Sequence, residues 1–451
     1  MFNQNPIYRR KAQLALLFFF ISCSFLLASC QHNKQDAQPV DAQPSTIVPT
    51  SPKNESTDAV AQNVQQPVTD PSESGPAFDS STEPATPPVE HPIETYTKEA
   101  KLVAVGDIMM HMPQLPSYYN KAKGTYNFNP FFTQVKPLLT QGDFVWANLE
   151  TPIAGADLRY SGFPMFNAPA EVAAALKYAG FNIVSTANNH ALDRKEIGVI
   201  RTLKRLKEQG LTTKGTAASQ AEANELTIIT KNDIQMGILA YTYGTNGITV
   251  PADKSYLISL INPIQMKRDI QSLRDAGADV VVIALHFGIE YQREPSARQQ
   301  QLARSLIEAG ADIILGSHTH VVQPLEEVHV TQLDGTTRKG YIIYSMGNFI
   351  SNQKDEYTDY GVIFNATIRK TFPSGAIDIT DVTALPTWVQ KTGTGNQRKY
   401  VVLPVEKTLH EHKLPLSKSQ YSALATKLQA LNNHIHSMPV VMQAETEKKA
   451  G

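Results

Sequence analysis

The chain has 451 residues, of which 41% are hydrophobic and 18% are charged, so it can bury a large core and still carry a second region. Its 41 Lys and Arg residues nearly balance its 42 Asp and Glu residues, which excludes the overall basic field of a nucleic-acid-binding protein. The two cysteines, Cys23 and Cys30, lie near the N-terminus, which excludes disulfides and cysteine-ligated metal centres from the rest of the chain.

Residues 1–29 have the pattern of a secretory signal peptide. Basic residues Arg9–Lys11 precede a short apolar run, Leu14–Leu27, which is followed by small residues. An uncleaved N-terminal anchor is the alternative, although a spanning helix needs about 20 uninterrupted apolar residues. The run ends in a sequence that resembles the bacterial lipobox, in which the cysteine is acylated. Cys30 is therefore the predicted lipidation site, and it would hold the protein at the extracytoplasmic face of the cell membrane.

Residues 30–95 are predicted to form a disordered tether. The stretch 31–94 is rich in Pro, Ser, Thr and Gln, contains 11 of the 28 prolines, and has Phe78 as its only aromatic residue. Such a composition buries too little apolar surface to offset the entropy of ordering. A coil of this length spans roughly 45 Å, so the folded part is expected to stand away from the bilayer.

Residues 96–405 alternate short apolar runs with helical patterns, which predicts an α/β layered domain. The runs predicted to be buried strands are Leu102–Val105, Phe144–Trp146, Asn182–Ser185, Val280–Leu285, Ile313–Leu315 and Tyr341–Ser345. Each predicted helix has proline at its first position and glycine just past its last: Pro169 to Gly180, Pro263 to Gly277, and Pro295 to Gly310.

The last part of the chain is predicted to complete the sheets and then to extend beyond them. Residues 361–403 contain three further strand patterns, which are expected to pair antiparallel. Residues 406–451 are predicted to be a helical extension and a frayed tail. The helix is expected from Ser417 to about His434, with Leu424, Leu428 and Leu431 on one face.

Polar side chains follow the predicted strands, where open α/β sheets bind their ligands. Oxygen and nitrogen ligands of this kind suit divalent metals, so the sequence predicts a site for two ions of Mn, Fe, Zn or Mg. The predicted metal ligands are Asp107, His111, Glu150, Asn189, His286, His318 and His320. Asn188, Glu290 and Asn348 are the predicted substrate-binding residues, and His190 is a further candidate at the same strand ends.

Each of these side chains, taken alone, also fits an ordinary structural role. The alternatives are a turn residue (Asp107), a loop cap (His111), a solvent-facing acid (Glu150), turn formers (Asn188 and Asn189), a core histidine (His286) and a hydrogen-bonded pair (His318 and His320). Two other pairs, His410/His412 and His434/His436, have the same spacing but follow no apolar strand ending in glycine, so they are predicted to be surface pairs.

Several stretches together resemble the CapA-type capsule synthesis proteins associated with poly-γ-glutamate, whose domain is related to calcineurin-like metallophosphoesterases. The stretches begin at Val105-Gly-Asp-Ile-Met, Ala147-Asn-Leu-Glu-Thr-Pro, Thr186-Ala-Asn-Asn-His, Leu285-His-Phe-Gly-Ile-Glu, Gly316-Ser-His-Thr-His and Tyr344-Ser-Met-Gly-Asn. The segments Tyr241–Gly247 and Tyr160–Pro169 also resemble this family. The resemblance covers residues 101–369 and implies a four-layer α-β-β-α metallophosphatase-like sandwich.

The resemblance also implies how the metal ligands divide. Asp107 and His320 would hold one metal, Glu150 would bridge, Asn189, His286 and His318 would hold the second, and His190 would be a general acid. The chain departs from phosphoesterases at three places: its first histidine is four residues after Asp107, Asn148-Leu-Glu150 replaces their second motif, and Asn188 replaces a glycine.

Three functions are compatible with these features. The first is a surface-anchored, metal-dependent hydrolase or transferase acting in poly-γ-glutamate capsule biosynthesis or export. The second is a non-catalytic scaffold that binds the anionic polymer within a membrane capsule-synthesis complex and meets membrane subunits there. The third is a wall-binding lipoprotein, but that function would not explain the polar side chains that follow the predicted strands.

Overall fold

The computed structural model describes residues 94–354 and 357–444. The predicted signal peptide, the predicted lipidation site Cys30 and nearly all of the predicted tether lie outside the described residues. Within those ranges, no helix has both the length and the apolar character needed to cross a bilayer.

The strands, in chain order, are β1 (Tyr96–Ile108), β2 (Tyr119–Asn120), β3 (Thr125–Tyr126), β4 (Phe144–Leu149), β5 (Ile183–Ser185), β6 (Thr212–Lys214), β7 (Ile228–Lys231), β8 (Ile234–Thr242), β9 (Val280–His286), β10 (Ile313–Ser317), β11 (Val322–Thr331), β12 (Thr337–Met346), β13 (Asn348–Ile350), β14 (Tyr360–Phe372), β15 (Ile377–Thr392), β16 (Lys399–Pro404) and β17 (Val441–Ala444).

The α-helices are α1 (Lys136–Leu139), α2 (Glu171–Ala179), α3 (Lys195–Glu208), α4 (Gln220–Asn224), α5 (Pro263–Asp275), α6 (Ala297–Glu308), α7 (Val405–Glu411) and α8 (Lys418–Ile435). Short 3₁₀ helices lie at Met112–Tyr118, Asn129–Phe131, Ala156–Leu158, Ala252–Leu257 and Gly395–Gln397.

Most of the strands form two mixed sheets. The first has the order β16-β15-β14-β1-β4-β5-β6, with β13 also paired to β1, and the second has the order β17-β11-β12-β10-β9-β8-β7. In the first sheet β1, β4, β5 and β6 run parallel, and in the second β8, β9, β10 and β12 run parallel. The carboxyl ends of neighbouring parallel strands therefore meet at one edge of each sheet, which is where the polar residues were predicted to collect.

The two sheets pack face to face, with helices on both outer sides. Alternate residues along a strand point to opposite faces. Leu102 and Val282 meet in the core between the sheets, Val103 packs with α2 on the outer face of the first sheet, and Val281 packs with α5 and α6 on the outer face of the second. Each such buried side chain contributes about 1.5–3 kcal/mol. The predicted four-layer α-β-β-α sandwich is confirmed.

The apolar runs located most of the strands that form the centre of the sheets. All six predicted strands are present, and the three later patterns form the antiparallel strands β14, β15 and β16. The runs did not reveal β2, β3, β6, β7, β8, β11, β13 and β17. In β11 the apolar pattern is broken by Glu326, which is fully buried but is neutralised by Arg304. In β8 it is broken by Gln235 and Gly237.

The predicted helix ends are correct, but two of the three predicted starts are wrong. Gly180, Gly277 and Gly310 all have positive φ just past their helices, as predicted. Only Pro263 occupies a first helical position, where Asn262 caps the helix. Pro295 lies two residues before the first residue of α6, because Ser296 is the N-cap. The Ser296 hydroxyl accepts a hydrogen bond from the backbone N–H of Gln299, at 3.3 Å.

The C-terminal part of the described chain is more ordered than a frayed tail. Helix α8 covers the predicted span, with Leu424, Leu431 and Ile435 buried and Leu428 partly buried. Beyond it, Val441–Ala444 form β17, which pairs parallel with Val328–Thr331 at the edge of the second sheet. The prediction of a frayed tail is therefore wrong for residues 441–444. The predicted domain boundary after residue 405 stays a prediction.

Candidate metal centre

Five buried side chains at the strand ends form two overlapping groups of possible metal ligands. Asp107, Glu150 and His320 form the first group, and Glu150, His286 and His318 form the second. Within each group, one ligand atom from every residue lies within 4.8 Å of the others. All five side chains are at most 3% exposed, so each would be costly to bury without a partner. Glu150 belongs to both groups, which is the geometry of a carboxylate between two cations.

Glycine lets neighbouring strands approach closely enough to build this edge. A Cβ at Gly106, next to Asp107, would lie 1.9 Å from the carbonyl oxygen of Gly347. A Cβ at Gly316, two residues before His318, would lie 1.9 Å from the carbonyl oxygen of Tyr344. No side chain fits in either place, so the glycines before the ligands are required by packing.

Asp107 accepts two hydrogen bonds and lies near an imidazole nitrogen. The Asn148 side chain donates to Oδ1 at 2.7 Å, the backbone N–H of His318 donates to Oδ2 at 3.2 Å, and His320 Nδ1 lies 3.5 Å from Oδ2. Burial alone would raise the pKa of Asp107, but these donors and the nearby histidines lower it below its ordinary value. Asp107 is therefore an anion in the protein interior, suited to a cation.

Glu150 is the least satisfied group at the site. It follows β4 directly, is fully buried, and neither carboxylate oxygen has a hydrogen-bond partner among the described residues. Burial, together with the charge of Asp107, raises its pKa well above the ordinary value. A carboxylate left unpaired at this depth costs several kcal/mol, by order of magnitude. A bound cation would supply the missing partner, so the residue fits a metal site better than a structural role.

An unusual backbone conformation orients the side chains of His318 and His320. Strand β10 ends at Ser317, and both histidines have positive φ, 96° for His318 and 60° for His320. This conformation is uncommon for residues other than glycine and is concentrated at functional sites. It turns the two rings toward different groups, and Nδ1 of each has no hydrogen-bond partner among the described residues. The histidines thus lie in a loop past the strand, not on the strand itself.

His320 and His318 have opposite pKa shifts because their neighbours differ. Burial would lower the pKa of His320, but the negative charges of Glu150 and Asp107 raise it to about 9. Burial and the charge of His286 lower the pKa of His318 to about 2. A cation bound near His320 would take the place of the proton, since a histidine ligand must be neutral.

Asn189 completes the second group with an amide oxygen. Its Oδ1 lies 2.9 Å from Nε2 of His286, and that nitrogen lies 3.6 Å from Oε1 of Glu150. Burial lowers the pKa of His286 to about 3, so its ring is neutral, and its Nδ1 lies 2.9 Å from the hydroxyl of Ser317. One oxygen and one nitrogen therefore point to a common centre beside Glu150.

His190 lies beside the two groups and belongs to neither. Its Nδ1 is 2.8 Å from Oδ2 of Asp193, and the backbone N–H of Phe166 donates to the same oxygen at 2.6 Å. The ring of Phe166 meets the imidazole edge to face, with the ring centres 4.6 Å apart. Burial would lower the pKa of His190, but the hydrogen bond to Asp193 raises it above the ordinary value. This ring can therefore carry a proton near neutral pH.

The other predicted site residues are not gathered into these groups. His111 is partly buried, its Nδ1 accepts a hydrogen bond from the backbone N–H of Asn352 at 3.4 Å, and it belongs to neither group. It caps a 3₁₀ helix, so its position supports the loop-cap alternative. Glu290 is exposed on the loop after β9, so it remains available to a substrate.

The amide of Asn188 is used by the fold, and that of Asn348 only in part. Asn188 donates to the carbonyl of Leu149 at 2.8 Å and accepts from the backbone N–H of His190 at 3.2 Å. Asn348 is fully buried and donates to the Gln353 side chain and the Thr358 carbonyl, both at 2.8 Å, but its Oδ1 has no hydrogen-bond partner among the described residues. Both amides help to position their loops, and substrate binding by these two residues stays a prediction.

The two other pairs of histidines belong to neither ligand group. His410 and His412 are exposed, on helix α7 and at its end, as predicted for a surface pair, and His412 stacks on Tyr421. The second pair is only half a surface pair: His436 is exposed, but the side chain of His434 is 9% exposed, and its Nε2 lies 3.1 Å from the carbonyl of Arg293.

Sequence reasoning missed Tyr243 and Asn246 as residues at this site. Both lie on the loop after β8, beside Asn189, His190 and His318. Polar residues after strand ends were the signal used elsewhere in the chain. Because β8 was not recognised as a strand, the same signal was not applied to this loop.

Comparisons with known proteins show which family the chain belongs to. Residues 101–353 match the family model described as bacterial capsule synthesis protein PGA_cap. The chain is 31% identical over 279 residues to the capsule biosynthesis protein CapA of Bacillus anthracis, covering 60% of this chain and 63% of that protein. It is 29% identical over 316 residues to the PGA biosynthesis protein CapA of Bacillus subtilis, covering 65% of this chain and 76% of that protein.

Among solved structures, the chain is similar to the calcineurin-like phosphoesterase YfkN of Bacillus subtilis, with a TM-score of 0.37 and 11% identity over 74% of this chain and 98% of that one. The family model spans more than half of the chain and contains every member of the two ligand groups. This chain therefore belongs to the bacterial capsule synthesis protein PGA_cap family.

Proposed function

We propose that this protein is a divalent-metal-dependent hydrolase or transferase that acts on an anionic polymer, such as poly-γ-glutamate, in capsule biosynthesis or export. The single observation that carries the proposal is the buried, unpaired Glu150 shared by two groups of ligands. The names of the relatives, a capsule biosynthesis protein and a PGA biosynthesis protein, support the choice of polymer. Membrane subunits of a capsule-synthesis complex would be further partners.

The ligand groups fit two divalent cations. Asp107 and His320 would hold one, Asn189, His286 and His318 would hold the other, and Glu150 would touch both. Two such cations supply an activated water and a clamp for the anionic centre under attack. His111 is left out of this set because it belongs to neither group.

His190 would hold and deliver a proton in this reaction. Its Nδ1 is fixed by Asp193, so Nε2 is the atom that would donate toward the leaving group. Phe166 packs against the ring and keeps bulk water from that face. Glu290, exposed at the mouth of the site, is the remaining candidate for contact with the substrate.

An activity screen of a fragment that contains the described residues would test this function. We expect the fragment 94–451, expressed alone and purified without chelator, to contain about two divalent ions per chain by elemental analysis. Incubated with phosphoesters and with γ-linked glutamate oligomers, it should turn over one class. Metal removal by chelation should abolish turnover and lower the melting temperature, because bound ligand stabilises only the folded state.

Two other outcomes would be informative. Polymer binding without turnover by the metal-loaded fragment would favour the non-catalytic scaffold. A fragment that takes up no divalent metal, even after reconstitution with Mn²⁺, Fe²⁺ or Zn²⁺, would contradict the proposal.

We also propose that a lipid on Cys30 anchors the protein at the outer face of the cell membrane. The lipobox-like sequence before Cys30 supports this, and two acyl chains suffice for stable anchoring. In a bacterial host, the full-length protein should partition with membranes, and C30A should be found in the soluble extracytoplasmic or secreted fraction. Membrane retention of C30A equal to that of the unchanged protein would favour the uncleaved anchor. The matched control is C23A, which should stay membrane-bound.

A further inference from the structure

The loop after β8, from Tyr243 to Gly247, contacts both the second ligand group and His190. Asn246 makes two of these contacts. The side-chain NH₂ of Asn189 donates to Oδ1 of Asn246 at 3.1 Å, and Nδ2 of Asn246 lies 3.5 Å from Nε2 of His190. The loop therefore touches a proposed ligand and the proposed proton donor without belonging to either ligand group.

We infer that Asn246 is a positioning residue that turns the oxygen of Asn189, and not its NH₂ group, toward the metal centre. The inference rests on the proposed function, since it concerns a ligand of the second cation. It adds a residue that lies outside both ligand groups and outside the predicted site.

The physical basis is the shape of an amide. The oxygen and the NH₂ group of asparagine occupy nearly the same space, so hydrogen-bond partners decide which one faces a given direction. A cation accepts only the oxygen, and an NH₂ group turned inward would remove one ligand. Asn189 needs an acceptor on its outer side to hold the NH₂ group there.

Asn246 supplies that acceptor. Its Oδ1 receives the hydrogen bond from Asn189, and the opposite atom of Asn189 then lies 2.9 Å from Nε2 of His286, beside the shared Glu150. In metal sites, such partners of the ligands fix ligand orientation, and losing one typically weakens metal binding about 10–100-fold.

Asn246 is itself oriented by its surroundings. It has a positive φ of 50°, a conformation that asparagine tolerates better than most residues. The hydroxyl of Tyr243 donates to Oδ1 of Asn246 at 3.3 Å, and the ring of Tyr243 packs on His318 with the ring centres 4.5 Å apart. The loop is therefore tied to ligands of the second group at two points.

Two substitutions at Asn246 separate the effect of its hydrogen-bond acceptor from the effect of its side-chain size. In N246L the side chain has a similar size but no acceptor, so the amide of Asn189 is free to turn. In N246D a carboxylate oxygen still accepts from Asn189. Asn246 is exposed, so both variants should fold, and their melting curves check this. The matched control is N232L, because Asn232 is exposed, has the same φ of 50°, and lies at the other end of β8.

The experiment is calorimetric titration of the metal-free protein with Mn²⁺, together with the electron paramagnetic resonance spectrum of the magnetically coupled Mn²⁺ pair. We expect N246L to bind the second ion about 10–100-fold more weakly and to lose the coupled spectrum at concentrations that saturate the unchanged protein. N246D and N232L should each bind the second ion within about threefold of the unchanged protein, a change well below the 10–100-fold loss expected for N246L.

The outcomes distinguish this inference from the proposed function. If the unchanged protein binds two ions and N246L binds the second equally tightly, the inference fails and the proposed function stands. If N246D is weakened as much as N246L, orientation by an acceptor is also rejected. If the unchanged protein binds no second ion, both fail.

Discussion

Replacement of Glu150 with glutamine should remove both cations and most of the activity. The carboxylate belongs to both ligand groups and is the one negatively charged residue that they share. Glutamine keeps the shape but is neutral, so it cannot hold two positive ions together. We expect turnover to fall at least about 10²–10³-fold, the loss typical of removing one preorganised charge-stabilising group. Elemental analysis of the purified variant should show the loss of metal directly.

The same substitution should have the opposite effect on stability once metal is removed. In the metal-free protein, Glu150 is buried without a hydrogen-bond partner among the described residues, and its pKa is raised. A carboxyl whose folded-state pKa is raised loses stability as pH increases above its unfolded pKa of about 4.3. Metal-free E150Q should therefore be more stable than the metal-free unchanged protein, and the gap should grow from about pH 4 upward.

Thermal melts of both proteins with and without chelator, at several pH values, would measure this. With metal present the order should reverse, because only the unchanged protein gains binding energy. E208Q is the matched control, since Glu208 is exposed at the end of α3. Full metal content and activity in E150Q would rule out a bridging role for Glu150.

Replacement of His190 with alanine should lower turnover while leaving the metal in place. His190 lies outside both ligand groups, so its removal takes away a proton donor and not a ligand. Loss of a positioned general acid typically costs about 10²–10⁴-fold in rate. H410A is the control, because His410 is exposed on α7. Loss of metal from H190A would show that the imidazole supports the metal centre.

Asp193 should control the pH at which that proton is lost. The hydrogen bond from His190 to Asp193 raises the pKa of His190 against the effect of burial. Activity that needs protonated His190 is present below this raised pKa and falls as pH rises through it. In D193N the raising interaction is lost, so the alkaline limb of the pH profile should move to lower pH. If the alkaline limb does not move in D193N, that limb reports the titration of another group.

Local sequence signals were enough to find most of the candidate centre. Polar side chains at the ends of apolar runs, preceded by a glycine at Asp107 and His318 and following the run directly at His286, identified these parts of the centre. These signals work because parallel strands bring their carboxyl ends to one edge, whatever their order along the chain. The fold class follows from the same alternation of strands and helices.

Local signals do not decide the direction of a side chain where a contact from elsewhere in the chain sets it. His111 follows the same strand as Asp107, but two further residues and a 3₁₀ helix turn it toward Asn352. Asn188 lies beside Asn189, yet its amide binds the backbone of Leu149. Neighbours in sequence that point in different directions cannot be told apart without the backbone path.

The sequence by itself determined the layers of this protein and the residue types at one edge of its sheets, since periodicity and strand-end chemistry are local properties. Only the tertiary structure decided that Glu150 belongs to both ligand groups, that positive φ turns His318 and His320 apart, and that Asn246 faces Asn189. Those facts depend on the packing of two sheets, which brings together side chains far apart in the chain at distances that no local pattern specifies.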